Sequence, residues 1–569
     1  EQRRERFGKD TEPLVTSPLL VRMLLVVHFS ERQLPEQRAE LYMKATDAML
    51  LPEYAPDEEI ANRIGRLVGG SREVHRDLVQ HLAFAIHSRG EKLGREISEG
   101  DLRAVLRQNP VYATAVDDFI ALTRLRGTLL EERLGFYRFI HLAFQEYLAA
   151  RYLAEIKRGE SGVEGIAAFL ESGPILESWW REPALLVAGY LSVTSPQTAQ
   201  LYLQRLAGTN EPAEKRQLTP EVQMAAAELA ATACLEVPAS PESLRKQLAE
   251  RLVALFRQSD LMVRVRPILR AAAGETMARL GDPRPEVTTI DAMQFCLVPV
   301  GPFWMGSDKS DKEACDDEKP LHRYDKLDYD FWMAQYSVTV AQFCTFVEAS
   351  KHKPEDADSL HDLPNRPVVK VTWYEAVKFC EWLTKKWQRE SKLSQNWAVH
   401  LPSEAEWKKA ARGGLQIPIQ PIIKSSDALP HGINMSLRDN PEPTRRYPWG
   451  NEPDPNRANY DDTGIGTTST VGCFSNGESP YGVQELSSNV WKWTRSLWEE
   501  KSDKHNFKYP YDPADGREKL VASHNVTRVL RGGAFNSIVR NVRCVCRFGE
   551  SPEGWSRDIG FRVVLRPLL

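Results

Sequence analysis

Apolar positions in this chain follow two rhythms, and the change falls near residue 288. Before it they recur three and four apart over runs long enough for helices. Val74, Leu78, Leu82, Ala83 and Ile86 mark one face of a helix predicted over 72–88. Further upstream, Thr16-Ser17-Pro18 followed by Leu19, Leu20, Met23, Leu24 and Val27 reads as an N-cap, a proline in the first turn and one apolar face. Ile97-Ser98-Glu99-Gly100-Asp101 opens a shorter helix, residues 129–140 read as a two-stranded wing turning at Leu134-Gly135, and 144–156 as a strong helix. Helix, helix, helix, wing, helix is the order of a winged-helix module. Residues 161–285 continue all-helical and rich in Ala and Leu, ending in a helix over 267–280 that Gly281 stops and Pro283 and Pro285 hold off.

After residue 288 the helical period is replaced by short β-prone runs among Gly, Pro and Asn, and 12 of the 14 tryptophans lie there. Clear helices are predicted over 340–350, 374–386 and 404–412, the last capped by Pro402-Ser403. So much irregular backbone must satisfy its amides through side chains and turns, which suits a loop-rich α+β unit. The pattern divides the chain into 1–65, 66–160, 161–287 and 288–569.

Length agrees, since 569 residues are too many for one core. With 42% hydrophobic and 27% charged residues the composition is that of an ordinary globular protein. The net charge of −4 comes without a basic block, so nucleic acid and anionic membranes are not indicated as partners. The most apolar run, 19–29, is broken by Arg22 and His28 and is too short to span a bilayer. Eight cysteines are sparse for a disulfide scaffold, and Cys544-Val545-Cys546 is a weak metal signal without a second pair. No signal-peptide pattern opens the chain, and a reduced cytoplasm is the expected compartment. The chain starts mid-pattern and without Met, which predicts a fragment of something longer or a processed product.

Two families are resembled. Phe139-Ile140-His141-Leu142-Ala143-Phe144-Gln145-Glu146-Tyr147-Leu148 looks like the winged-helix motif of NACHT-type STAND NTPases. Ser17-Pro18-Leu19-Leu20 and Leu34-Pro35 with Arg38, Leu41 and Tyr42 resemble the segment before it, and Trp180-Arg181-Glu182-Pro183-Ala184-Leu185 the segment after it. The resemblance makes 1–65 the helical segment after an absent nucleotide domain, and implies effector and NACHT domains upstream. It implies that His141 reaches the diphosphate of bound ADP in a full-length parent ATPase. No G-x-x-x-x-G-K-[ST] occurs here, so ATP or ADP belongs to that parent alone.

The second resemblance covers about 290–568. Pro302-Phe303-Trp304-Met305-Gly306-Ser307, Pro367-Val368-Val369, Leu401-Pro402-Ser403-Glu404-Ala405-Glu406-Trp407, Tyr447-Pro448-Trp449-Gly450, Asn489-Val490-Trp491-Lys492-Trp493, Arg531-Gly532-Gly533-Ala534-Phe535 and Gly560-Phe561-Arg562 appear in order. This domain is similar to the formylglycine-generating-enzyme (sulfatase-modifying factor) family, which includes the C-type-lectin-like variable proteins of diversity-generating retroelements. The expected architecture is multidomain: an all-α N-terminal half with a winged helix, then an α+β C-type-lectin-like domain.

The family's oxidases hold copper between two cysteines, thiolates being soft ligands suited to Cu(I). Here Ser537 stands at the first position and no cysteine follows until Cys544. The iron cluster H-x-x-x-H-x-E of another reaction on this fold is absent too, so the chain is expected not to be an enzyme. One family calcium site would map to Asn459 and Tyr460, with Asp461 or Asp462 supplying charge; calcium is the one cofactor expected, oxygen ligands being its requirement. A second family site loses its glutamate to Lys492. What remains is the surface matching the variable face of the retroelement proteins: Asn536, Ser537, Ile538, Val539, Phe548, Glu550, Glu553, Trp555, Ser556 and Asp558. Phe548 and Trp555 are the expected anchors for a protein ligand, with the acidic residues favouring a basic patch. The expected role is the recognition part of a bacterial signalling or defence protein. A formylglycine-generating oxidase and a carbohydrate-binding lectin are the alternatives.

Overall fold

The computed structural model describes residues 37–50, 72–125, 129–209, 217–237, 240–426, 435–500, 507–523 and 526–568. The helix expected from Ser17 onward and the Leu34-Pro35 pair lie outside the described residues. Two compact units divide between Leu248 and Ala249.

In the first unit, α1 (Arg38–Met49) and α2 (Arg72–His87) precede β1 (Ile97–Ser98), α3 (Glu99–Arg107) and α4 (Val116–Leu125). The wing is β2 (Leu130–Arg133) and β3 (Phe136–Phe139), with Leu134 and Gly135 both at positive φ in its turn and β1 pairing with β3 on the other side. α5 (Leu142–Tyr152) follows directly, and its last turn passes into a π-helical stretch over Leu153–Lys157. The motif residue Gln145 is buried at the centre of this unit. Its Nε2 donates to the Gly94 carbonyl at 2.7 Å and lies 3.2 Å from His87 Nδ1, and the His87 ring stacks on Trp179 at 4.3 Å. Trp179 lies in α6 (Ser178–Thr194), so the motif and the tryptophan-rich segment after it meet through one buried polar network. Burial pushes His87 down to about 4, keeping it neutral.

The second unit includes α7 (Pro267–Leu280), which the sequence pattern groups with the helical connector. It lies flush on the C-terminal domain: a Cβ at Gly274 would sit 2.7 Å from Thr470, and Arg270 donates to the Asn456 and Cys473 carbonyls at 3.0 and 3.1 Å. β4 (Gln294–Val298), β5 (Phe303–Met305), β6 (His322–Tyr324) and β7 (Phe331–Ala334) then lead to three helices with the same start. α8 (Val340–Ser350), α9 (Trp373–Arg389) and α10 (Glu404–Arg412) each open on a capping box, Thr339 with Gln342, Thr372 with Glu375 and Ser403 with Glu406. Trp373, Ala376, Phe379, Cys380, Leu383 and Trp387 give α9 its buried face.

Between and after these helices run β8 (Trp397–His400), β9 (Gln416–Pro418), β10 (Ile423–Ser425) and β11 (Leu437–Asp439). The last strands are β12 (Trp491–Glu500), β13 (Val526–Arg531), β14 (Arg547–Glu550), β15 (Ile559–Phe561) and β16 (Val564–Pro567). The larger sheets run β10-β4-β7-β16-β8 and β14-β13-β12-β15, which leaves β14 at an edge, and β11-β9 and β5-β6 form two-stranded ones.

Candidate functional site

The segment from Arg531 to Arg562 leaves β13 through a turn that only glycine permits. Gly532 and Gly533 take φ of 99° and 71°, and Cβ atoms there would lie 2.3 Å from the Leu486 carbonyl oxygen and 2.7 Å from Val542. Beneath this turn the domain buries charge. Glu404, at the start of α10, takes Arg547 in a two-point grip, Nε to Oε1 at 2.7 Å and Nη2 to Oε2 at 2.8 Å, with Arg531 Nη1 at 3.4 Å. All three residues are fully or almost fully buried. Burial opposes ionisation of Glu404, but Arg547 and Arg531 outweigh it and hold the carboxyl below its usual range. Arg543 is held likewise by both oxygens of Glu318 at 3.1 Å. The arginines thus form a rigid, desolvated base.

Two short arcs stand on that base and face solvent. The first carries Asn536 and Ile538, the latter 56% exposed; the second carries Phe548, 52% exposed, and Trp555, 46% exposed. Phe548 projects from the edge strand β14 with its ring 6.0 Å from Trp491. The loop 551–558 is pinned by its own carbonyls: Pro552 accepts from Trp373 N, Ser556 from Lys370 N, and Asp558 from Trp491 N. The Asp558 carboxylate also accepts from Asn536 Nδ2 at 3.1 Å, which joins the two arcs. Glu553 is exposed, while Glu550, Ser556, Asp558 and Val539 are half-buried. Tyr374 at the start of α9 is also 38% exposed; the sequence shows it only as the residue after the helix-opening Trp373.

One expectation needs correction here. Ser537 is buried, its Oγ accepting from the Ala534 amide at 2.9 Å, so it closes the turn instead of facing a ligand. Residues 542–547 are buried as well, because they carry the arginine base, so the exposed positions fall into two bridged arcs.

Copper does not fit this site. Cys544 and Cys546 are buried, and burial pushes both thiols up, Cys546 to about 12. The Ser537 hydroxyl is a hard, already bonded donor. The residues expected at the calcium sites are placed as follows. Asn459 is buried, its Nδ2 donating to Thr467 O, Ser469 Oγ and Asn489 Oδ1 while its Oδ1 accepts from the Thr463 hydroxyl. Tyr460 is buried, and Asp461 and Asp462 are exposed on the turn that follows. Lys492 is fully buried with Nζ on the Ser488 carbonyl at 2.5 Å, and burial together with Arg562 drives its pKa far down. Among the described residues no cluster of three or more His, Cys, Asp and Glu is arranged to hold a metal.

Residues 281–567 match the model of the sulfatase-modifying factor enzyme 1-like domain. The chain belongs to that family. Residues 38–153 match a winged helix-turn-helix domain C-terminal to NACHT. Among relatives of the sulfatase-modifying-factor-like domain, the formylglycine-generating enzyme of Thermomonospora curvata is 27% identical over 335 residues, covering 49% of this chain and 95% of its own. The inactive C-alpha-formylglycine-generating enzyme 2 of Bos taurus is 27% identical over 211 residues, 34% of this chain and 49% of the bovine protein, so the chain spans about half of that relative. Among solved structures, variable protein 1 of Treponema denticola matches at TM-score 0.34 and 18% identity, over 48% of this chain and 95% of its own.

In the NACHT-associated winged helix, His141 is the N-cap of α5 and is exposed rather than part of the core. Its Nδ1 accepts from the Ala143 amide at 3.1 Å. With that nitrogen accepting, the neutral ring carries its proton on Nε2, which is left as an outward donor. No helix among the described residues is long and apolar enough to cross a membrane.

Proposed function

We propose that this chain is the recognition part of a STAND NTPase, and that its sulfatase-modifying-factor-like domain binds a protein partner through Ile538, Phe548 and Trp555 without performing chemistry. The observation that carries this reading is the exposure of two aromatic rings on a base of buried ion pairs. Exposed rings on a rigid support lose little entropy on binding and supply the large contact area from which interface hot spots are built. Asn536, Asp558, Glu550, Glu553 and Ser556 form the polar surround, which favours a partner with basic groups. In the full-length parent, His141 Nε2 would donate to a nucleotide phosphate. The test compares the wild-type chain with a Phe548→Ala/Trp555→Ala variant in copurification from the source cells. A partner held by the wild type and lost by the variant supports the reading; equal capture by both overturns it.

A second reading, a formylglycine-generating oxidase, draws on the 27% identity to the Thermomonospora enzyme over 95% of that protein. It requires a copper-binding thiolate pair that Ser537 and the buried cysteines do not supply. Copper-dependent oxidation of a C-x-P-x-R peptide by the purified chain would establish it.

A further inference from the structure

A cavity of about 170 Å³ opens in the second unit, between the loop after β5, the end of α10 and the strand-like run before β14. Its wall carries the guanidinium groups of Arg412, Arg446 and Arg543, with Asp308 and Asp311 on the loop opposite. The three arginines are not equivalent. Arg543 has Glu318, and Arg446 has Glu313. Arg412 is 3% exposed and pairs with no carboxylate among the described residues. Its Nε donates to the Arg445 carbonyl at 3.2 Å and its Nη1 to the Gly306 and Trp304 carbonyls at 2.9 and 3.4 Å, while Nη2 has no partner.

Two further donors at the wall are unspent: Arg543 Nη1 and Arg446 Nε make no hydrogen bond. Arg543 Nη1 forms an ion pair with the partly exposed Asp311 carboxylate at 3.6 Å, too long for a hydrogen bond. The Asp308 carboxylate is occupied by the Ser310 amide and hydroxyl and stands in solvent. The negative charges therefore sit on the outer loop or are already paired, and the uncompensated positive charge sits deep. A buried guanidinium without a counter-charge is costly unless something supplies one. The contrast with Arg547 is direct: Glu404 raises that guanidinium's pKa, whereas burial with Arg531 nearby brings Arg412 down to about 10.

We propose that this cavity binds a small oxyanion, a carboxylate or phosphate group, held by Arg412 with Arg446 at the rim. The volume takes one such group with a few heavy atoms attached, and a guanidinium presents paired N–H donors that match two oxygens at once. None of the exposed aromatic-arc residues lines the site, which shares only Arg543 and Val545 with the segment beneath them, and it needs no metal.

The experiment is calorimetric titration of the full chain with sodium phosphate and, separately, sodium malonate, against sodium chloride at equal ionic strength. Saturable one-site binding of either anion is expected; phosphate alone marks a phosphate ligand, malonate alone a carboxylate one, and both a general oxyanion site. Arg412→Lys keeps the charge but loses the fork and should weaken binding about tenfold or more. Should that buried variant fail to fold, Arg446→Gln at the rim should weaken binding, and Thr444→Trp, an exposed position, should block the cavity with the guanidinium groups intact. No heat beyond the chloride blank for either anion, or unchanged binding in Thr444→Trp, overturns the proposal.

Discussion

Within the 32 residues from Arg531 to Arg562 the usual distribution of side chains is partly inverted: four of the six arginines are inside and two of the four aromatic rings are outside. Arg531, Arg543, Arg547 and Arg562 are buried, while Ile538, Phe548 and Trp555 are about half exposed. The difference lies in partners. Each of these arginines is anchored by the fold, Arg547 and Arg531 by Glu404, Arg543 by Glu318, and Arg562 by the Ala334, Gln335 and Gln484 carbonyls, although Arg531 Nε, Arg543 Nη1 and Arg562 Nε are left without a hydrogen bond. The exposed rings have only part of their surface covered, Phe548 lying beside Trp491 and Trp555 being 46% exposed. Charge is tolerated inside where carboxylates or backbone carbonyls receive most of its N–H groups, and apolar surface persists outside where a further partner can cover it.

The sharpest way to break the comparison is to strip the base. Glu404→Ala leaves Arg531 and Arg547 buried without their carboxylate, and it should cost about 3–5 kcal/mol of stability in urea unfolding of the second unit. Gly532→Ala comes next, since a φ of 99° and an approach of 2.3 Å to the Leu486 carbonyl cannot both be kept. Strain of this kind is worth about 1–3 kcal/mol, read as a lowered midpoint with unchanged slope. A loss below 1 kcal/mol for Glu404→Ala would mean that the buried pairs do not organise the domain.

The base was only partly legible in the sequence. The helices starting at Thr339, Thr372 and Ser403, the wing at Leu134-Gly135 and the helix ending at Gly281 were readable because caps, turns and the helical period are local signals. The ion pairs were not, because Glu404 and Arg547 are 143 positions apart and nothing local marks either as buried. For the same reason the wall of the Arg412 cavity, drawn from four separate segments, had no sequence signature. The inward turn of Ser537 between outward Asn536 and Ile538 was unreadable because irregular backbone has no period. The exposure of Phe548 and Trp555 agrees with their expected place as anchors on the surface, whereas the N-cap role of His141 was not readable.

Acid separates the two units by a smaller effect. His75 and His87 in the first unit are pushed down to about 4 by burial. An unfolded histidine takes a proton near 6.5, so between 6.5 and about 4 the unfolded state binds more protons and stability falls as pH drops. Glu146, raised to about 7 by burial and by Glu182, works in the opposite sense above pH 4.5 and offsets part of this loss. In the second unit His400 behaves like the other two, but Glu404 and Glu406 are held below their usual range, so their stabilisation is lost only as pH falls below about 4.5. His87→Gln should flatten the decline of melting temperature between pH 6.5 and 4, with a change of about 1–3 kcal/mol across that window. An unchanged slope would show that His87 takes up its proton without cost.

The smallest effect on stability, and the largest on function, is expected at Trp555. Its ring is 46% exposed on a loop whose backbone is fixed by three carbonyls rather than by the ring itself. Trp555→Ala therefore removes only the covered part of the indole, about 1 kcal/mol or less from a unit of 321 residues. That is a shift of a few degrees at most in thermal unfolding. The same truncation in an interface removes a hot-spot contact worth about 2 kcal/mol or more, a thirtyfold loss of affinity on the order of magnitude that such anchors carry. The two measurements pull apart only if the ring is a binding element. A melting temperature lowered as far as by Gly532→Ala, with partner affinity unaltered, would place Trp555 with the arginine base and leave Ile538 and Phe548 to carry the recognition face alone.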